Sequence, residues 1–219
     1  MKFAVIVFPG SNCDYDAYYA LKNIGFDVEF VWHRNTSSLS NFDGIFIPGG
    51  FSYGDYLRTG AIAKFSPVMK SIKEESKKGK IIIGVCNGFQ ILVESELLPG
   101  SLINNKNIKF LSKQVKLRVK TVNSIFTKNI EKEYLKMPIA HKQGNYIADS
   151  DTLQTLKDND QILFEYDINP NGSMLNIAGI TNKKRNILGM MPHPERASNS
   201  LLGSEDGNYI FESLIKNYV

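Results

Sequence analysis

Ile81-Ile82-Ile83-Gly84-Val85-Cys86-Asn87-Gly88-Phe89-Gln90 is the stretch on which the fold turns. An apolar, β-branched run enters a Gly-x-Cys-x-Gly turn, and Phe89-Gln90-Ile91-Leu92-Val93-Glu94-Ser95 then reads as the start of a helix. A buried strand that passes directly into a helix, with a nucleophile at the corner, is a nucleophile elbow. Such a corner is strained, and the flanking glycines leave room for the backbone to fold back. The sulfur would project from the end of the sheet at a helix N-terminus, a position that favours negative charge. The amide of Asn87 would be left to hydrogen-bond a developing oxyanion. A lone cysteine is more often a small core residue. The paired glycines and the strand-to-helix context weigh against that reading here.

Upstream of the elbow the chain has a strand–helix–strand rhythm. Phe3 to Val7 is an apolar run with the character of a central parallel strand. After the turn Phe8-Pro9-Gly10-Ser11-Asn12, a helix carries Ala17, Ala20, Leu21 and Ile24 on one face and stops at Gly25. Val28 to Trp32 and Ile45 to Ile47 read as strands, and Pro67 to Lys78 as a helix ending at Gly79. This pattern predicts βαβ units with right-handed crossovers. Pro48-Gly49-Gly50-Phe51 ends the third strand, where adjacent glycines permit close backbone approach to a ligand.

After Leu98-Pro99-Gly100 the texture changes. Val115 to Val122 alternates polar and apolar, the sign of a half-exposed antiparallel strand. Lys136–Ala140, Ile162–Tyr166, Leu175–Ile180 and Asn186–Met191 are further strands, and Ile210, Phe211, Leu214 and Ile215 mark a closing helix. Asp149 to Asp160 is the most polar stretch and is expected to be a surface excursion. No repeat or inter-domain linker interrupts residues 1–219, so one α/β domain is expected.

Composition narrows the function classes. The chain has 219 residues, 42% of them hydrophobic, and a net charge of +4. Its lysines are scattered and no basic stripe interleaves with aromatics, so a nucleic-acid partner is not expected. No apolar run approaches membrane-spanning length and no signal-peptide pattern opens the chain, so a cytoplasmic protein is expected. Two cysteines, Cys13 and Cys86, make no disulfide framework.

A cysteine nucleophile needs a base, and the histidines are His33, His141 and His193. His33 lies just past a strand and reads as a surface-loop residue. His141 fits either a site-lining loop or a plain turn. His193 lies in Met191-Pro192-His193-Pro194-Glu195, where residues two apart in an extended segment project to one side. Glu195 can then accept from one imidazole nitrogen and leave the other facing Cys86, the nucleophile–base–orienter logic of a triad. No base motif adjoins Cys13, so its loss is expected to be nearly silent.

These residues carry a resemblance. The chain resembles the class I, triad-type glutamine amidotransferases through Gly84-Val85-Cys86-Asn87-Gly88-Phe89-Gln90 and His193-Pro194-Glu195. Within them it is similar to the glutaminase subunits of phosphoribosylformylglycinamidine synthase. The marks are Phe8-Pro9-Gly10-Ser11-Asn12-Cys13-Asp14, Pro48-Gly49-Gly50-Phe51-Ser52-Tyr53-Gly54-Asp55, and Ala140-His141 followed by Gly144. Relatives often carry Gly-Glu-Gly after the Ala-His pair, where this chain has Lys142-Gln143-Gly144.

The resemblance implies a flavodoxin-like three-layer sandwich with a mostly parallel central sheet and extra antiparallel strands in the second half. It implies that Cys86 attacks the side-chain amide of L-glutamine, that His193 moves protons and that Glu195 orients it. Gly50 and Asn87 would form the oxyanion hole, and Gln90, Gly144, Asn145 and Tyr146 would hold the amino-acid end. The ammonia would pass to a synthetase subunit that uses ATP and magnesium, with a small accessory subunit in the complex. No P-loop or metal cluster is evident in this chain, so no cofactor is expected on it. The segment Phe51–Arg58, with Tyr53, Tyr56 and Arg58, is expected to be where that partner docks. Other cysteine hydrolases and chaperone-like proteins of this fold also use an elbow, but are not expected to combine Gln90 with His193-Pro194-Glu195. A binding protein that has lost catalysis is not expected to retain Cys86, His193 and Glu195 together.

Overall fold

Phe3, Ala4, Val5 and Ile6 are completely buried, as are Ile45 to Ile47 and Ile82 to Ile83, so the apolar runs of the first half are central strands. The computed structural model describes residues 1–217. The chain runs β1 (Lys2–Val7), α1 (Asp14–Asn23), β2 (Asp27–Trp32), β3 (Gly44–Ile47), α2 (Val68–Lys77), β4 (Ile81–Val85) and α3 (Asn87–Glu94). It continues through β5 (Ser101–Ile103), β6 (Leu111–Val119), β7 (Tyr134–His141), β8 (Asn145–Ile147) and α4 (Ser150–Asp158). It closes with β9 (Ile162–Tyr166), β10 (Ile177–Thr181), β11 (Ile187–Met190) and α5 (Asn208–Asn217).

Among the described residues nine strands form one sheet in the order β2-β1-β3-β4-β11-β10-β9-β6-β7, and β5 pairs separately with β8. From β2 to β11 all pairings are parallel; from β11 to β7 all are antiparallel. The antiparallel strands thus continue the central sheet. Successive strand side chains point to opposite faces. Phe46 meets Phe211 of α5 at 6.4 Å between ring centroids, while Ile47 underlies Gly88 of α3. α5 and α3 therefore cover opposite faces, which makes three layers. Each fully buried Ile or Val contributes about 1.5–3 kcal/mol, so the apolar strands supply the driving force for this arrangement.

Register decides where the site falls. Ile47 of β3 pairs with Gly84 of β4, and Val85 of β4 with Met190 of β11. These three neighbouring strands are parallel, so their carboxyl ends open at one edge. Gly49-Gly50, Cys86 and His193 follow directly from those ends. That edge is where open α/β sheets place their ligands.

Four expectations change. The polar stretch 149–160 contains helix α4, capped by Asp149, whose carboxylate accepts from the Thr152 amide at 2.7 Å. Leu153 and Leu156 are its only apolar residues that pack inward, which leaves too faint a periodic signal. The strand expected over Val115–Val122 is shifted to Leu111–Val119, where it pairs along β7. β10 starts at Ile177 rather than Leu175, because Leu175 and Asn176 have φ of +53° and +56°. His33 is buried rather than in an exposed loop: its Nδ1 lies 2.7 Å from the hydroxyl of Tyr53.

A Cβ on Gly88 would lie 1.9 Å from the carbonyl oxygen of Ile47. Backbone cannot yield as a flexible side chain does. Gly88→Ala is expected to destabilise by about 2–3 kcal/mol or more. That lowers Tm by roughly 4–12 °C in thermal denaturation, since about 1 kcal/mol moves a domain of this size by about 2–4 °C. An unchanged Tm would contradict the close approach of α3 to β3.

Candidate active site

Cys86 stands between β4 and α3 with φ +50° and ψ −104°, a conformation that costs a non-glycine residue about 1–3 kcal/mol. The corner is pinned on both sides. Its N–H donates to the Met190 carbonyl at 2.8 Å, and its own carbonyl accepts from Gln90 N–H at 3.1 Å. The thiol points toward the Ala140 carbonyl at 3.7 Å. Asn87 is the first residue of α3, so its N–H has no partner within the helix.

His193 follows β11, and its Nδ1 lies 2.6 Å from Oε1 of Glu195. Both side chains are buried. Burial disfavours charge on the imidazole, but the Glu195 carboxylate, aided by the nearby Cys86 and Cys13 sulfurs, outweighs it and holds the His193 pKa well above the ordinary histidine value. Among the described residues Nε2 of His193 has no hydrogen-bond partner, and it is the nitrogen left for a proton in transit. The arrangement can therefore accept a proton, keep it beside a carboxylate, and return it.

Cys13 corrects the sequence reading. It lies against this pair: its Sγ, a ring nitrogen of His193 and a carboxylate oxygen of Glu195 are all within 4.8 Å of one another. Two ligands of one tetrahedral zinc would stand about 3.3 Å apart. The 2.6 Å between His193 and Glu195 is instead the distance of a hydrogen bond.

Gly50, Phe51, Asp55, Thr59, Cys86, Gln90, Phe110 and the segment 140–143 line a pocket of about 220 Å³. That is below the ~300 Å³ at which drug-sized sites begin, a scale suited to an amino acid. Gly50, with φ +140°, sits so close to the Phe8–Asn12 turn that a Cβ would lie 2.7 Å from the Asn12 nitrogen. A polar chain ties the walls together. Asn87 accepts from the Ser52 amide at 3.1 Å and donates to Gln90 Oε1 at 3.0 Å. Gln90 Nε2 donates to the Gln143 carbonyl at 2.6 Å, and Thr59 donates to Gln143 Oε1 at 2.9 Å.

Cys86, Gly50 and Gln90 thus meet at the pocket, with His193 and Glu195 buried behind it. Gly144, Asn145 and Tyr146 are not among its lining residues. Gly144 N–H donates to Asn105, the Gly144 carbonyl accepts from Asn171, and Tyr146 N–H donates to Ser173. The Tyr146 hydroxyl is spent on the Pro99 carbonyl at 2.9 Å. These backbone groups of Gly144 and Tyr146 are thus engaged within the protein in this structure. Asp55, Phe110 and Thr59 line the pocket without having stood out in the sequence, since nothing local tells a site residue from a loop residue there.

Residues 1–208 match the family model of the CobB/CobQ-like glutamine amidotransferase domain, and the chain belongs to that family. It is a glutamine amidotransferase. Among solved structures it is similar to PurLQS from Thermotoga maritima, at 42% identity and a TM-score of 0.92 over 100% of this chain and 99% of that one. A candidate GMP synthase component from Thermoplasma acidophilum shares the fold at 20% identity, TM-score 0.69, over 99% and 93% of the two chains. A glutamine amidotransferase from Thermotoga maritima does so at 15% identity, TM-score 0.59, over 99% and 91%.

His141 also lines the pocket. It is buried, its Nδ1 lies 3.0 Å from Asn105 Oδ1, and desolvation lowers its pKa to about 4. The folded state thus favours the neutral ring. The resulting stability is fully present above 6.5 and is lost as pH falls toward about 4. His141→Gln is expected to show a smaller drop in Tm than the wild type between about pH 7 and about pH 5. Equal drops in the two proteins would show that His141 is not held neutral.

Proposed function

We propose that this chain is the glutaminase subunit of a phosphoribosylformylglycinamidine synthase, hydrolysing L-glutamine to glutamate and ammonia. The buried His193–Glu195 pair behind a positive-φ cysteine carries the reading of the chemistry. The 42% identity to PurLQS over the full chain supports the reading of the assembly. Cys86 Sγ attacks the carboxamide carbon while His193 manages the proton. The N–H groups of Gly50 and Asn87 hold the oxyanion. The tetrahedral intermediate collapses to a γ-glutamyl thioester, with ammonia leaving as it takes a proton from His193. Water, deprotonated by His193, then cleaves the thioester to glutamate and restores the thiol.

The ammonia passes to a synthetase subunit of the PurL type, which carries ATP and magnesium and converts formylglycinamide ribonucleotide to its amidine. A small PurS-type subunit completes the assembly, and the single domain of this chain works in the cytoplasm. The docking loop presents Phe51, Tyr56 and Leu57, all exposed, to the synthetase. Tyr53 turns inward to His33 and Ser66, and Arg58 is paired with Glu94.

Asp55 extends the substrate site. It lines the pocket, and desolvation raises its pKa to about 6. Among the described residues no cation pairs with it. The α-ammonium of glutamine is the natural partner for such a carboxylate, and Lys142 across the pocket suits the α-carboxylate.

Cys86→Ala is expected to abolish ammonia release with an unchanged circular dichroism spectrum, His193→Asn to cost several orders of magnitude, and Glu195→Gln less, up to roughly 10⁴-fold. Normal ammonia release by the Cys86 variant would remove it from the mechanism. Asp55→Asn is expected to raise the glutamine KM about ten- to hundredfold, the worth of a charge-assisted hydrogen bond, with kcat less affected. An unchanged KM would take the ammonium contact away from Asp55.

A further inference from the structure

We infer that the first turn of α1 is a positioning device for the catalytic turn: Cys13 packs on the His193 imidazole and Asp16 grips Arg196, and together they hold His193-Pro194-Glu195-Arg196 in place behind Cys86. The inference rests on the proposed role of His193 as the base of Cys86.

Cys13 immediately precedes α1 and is itself fixed, since its N–H donates to the Gly49 carbonyl at the end of β3 at 3.3 Å. A Cβ built on Gly49 would meet His193 Cε1 at 2.7 Å and Cys13 Sγ at 3.3 Å. Imidazole and thiol therefore share one niche beside that glycine. Cys13, His193 and Glu195 are 4%, 2% and 1% exposed, so no water layer separates them. Three residues along the helix, on the same face, Asp16 accepts from Arg196 Nε at 2.9 Å. Arg196 follows Glu195 directly, and its N–H donates back to the His193 carbonyl at 3.3 Å. One helical turn thus holds the two ends of a four-residue turn.

A thiol suits this place. It is a weak donor and a weak acceptor, so it fills the space beside the ring without taking up His193 Nε2. Burial pushes the Cys13 pKa up, against the lowering effect of His193, which keeps it a neutral neighbour. A hydroxyl there would be a strong donor next to the unpartnered Glu195 Oε2 and would draw the carboxylate away from its task. An alanine would leave the ring free to turn its Nε2 from Cys86. A purely structural cysteine would fill an apolar niche, whereas this one faces the two groups that manage the proton.

The test uses the full chain, alone and with its synthetase partner, in the variants Cys13→Ala, Cys13→Ser, Asp16→Asn and Asp16→Glu. Two readouts are taken: ammonia release from glutamine, and the time course of Cys86 alkylation by iodoacetamide at fixed pH, resolved by peptide mass spectrometry. Cys13→Ala and Cys13→Ser are expected to lower kcat roughly ten- to hundredfold with KM little changed, the scale of an ångström-level misplacement. The rate of Cys86 alkylation should fall in step, because a displaced imidazole no longer stands where it can take the thiol proton. Asp16→Asn should move both readouts the same way by less, as expected of a partly exposed pair, and Asp16→Glu should restore them. Alkylation profiles that superimpose on the wild type in both Cys13→Ser and Asp16→Asn would overturn the inference, as would activity lost only in step with the folded fraction. Alkylation needs no glutamine. A wild type that releases no ammonia therefore refutes the proposed function, while the alkylation comparison still decides the positioning role.

Discussion

The backbone at Cys86 is bent into a region that L-residues avoid, and the rest of the molecule is arranged so that it stays there. Two hydrogen bonds fix the corner, one from β11 and one from α3. Above it, α3 can lie this close to β3 only because Gly88 presents no side chain to the Ile47 carbonyl. A strain of about 1–3 kcal/mol is modest beside the burial of the flanking strands. The sheet can therefore hold a reactive sulfur at its edge without losing its fold. The same parallel register carries Gly50 from β3 and His193 from β11 to that edge, so one structural constraint assembles residues far apart in sequence.

Electrostatics then separates the two buried histidines. His141 and His193 are both enclosed, and burial alone pushes both toward the neutral form. At His193 the Glu195 carboxylate reverses that tendency; at His141 the hydrogen-bond partner is the neutral amide of Asn105, and the nearby charge of His193 lowers the pKa further. Environments that push two like groups apart assign their roles. His193 can carry charge through a reaction cycle, whereas His141 remains a neutral strut under Gly144, whose Cβ would fall 2.3 Å from its ring.

Much of this was legible in the sequence because it is written locally. The β-branched runs of β1, β3 and β4 and the two glycines around Cys86 need no distant context, and Glu195 lies two residues from the histidine it serves. What was not legible depends on distance or on faint local signal. Cys13 looked isolated because the imidazole it touches lies 180 positions further along the chain. His33 looked exposed because its partner Tyr53 comes from another loop. α4 was hidden because a helix resting on two leucines leaves little periodicity, though Asp149 was a usable cap signal. Gly144 to Tyr146 are harder to read for another reason: the Ala140-His141 motif marks the loop, but hydrogen bonding to Asn105, Asn171 and Ser173 decides which of its groups remain open to a ligand.

The central proposal is that Cys86, at this sheet edge, and not the second buried thiol, is the covalent nucleophile. The decisive experiment is to acid-quench the chain during turnover of glutamine and map its peptides by mass spectrometry. The expected species is a γ-glutamyl thioester on the peptide carrying Cys86. An adduct on Cys13, or steady ammonia release with no adduct on either cysteine, would contradict it.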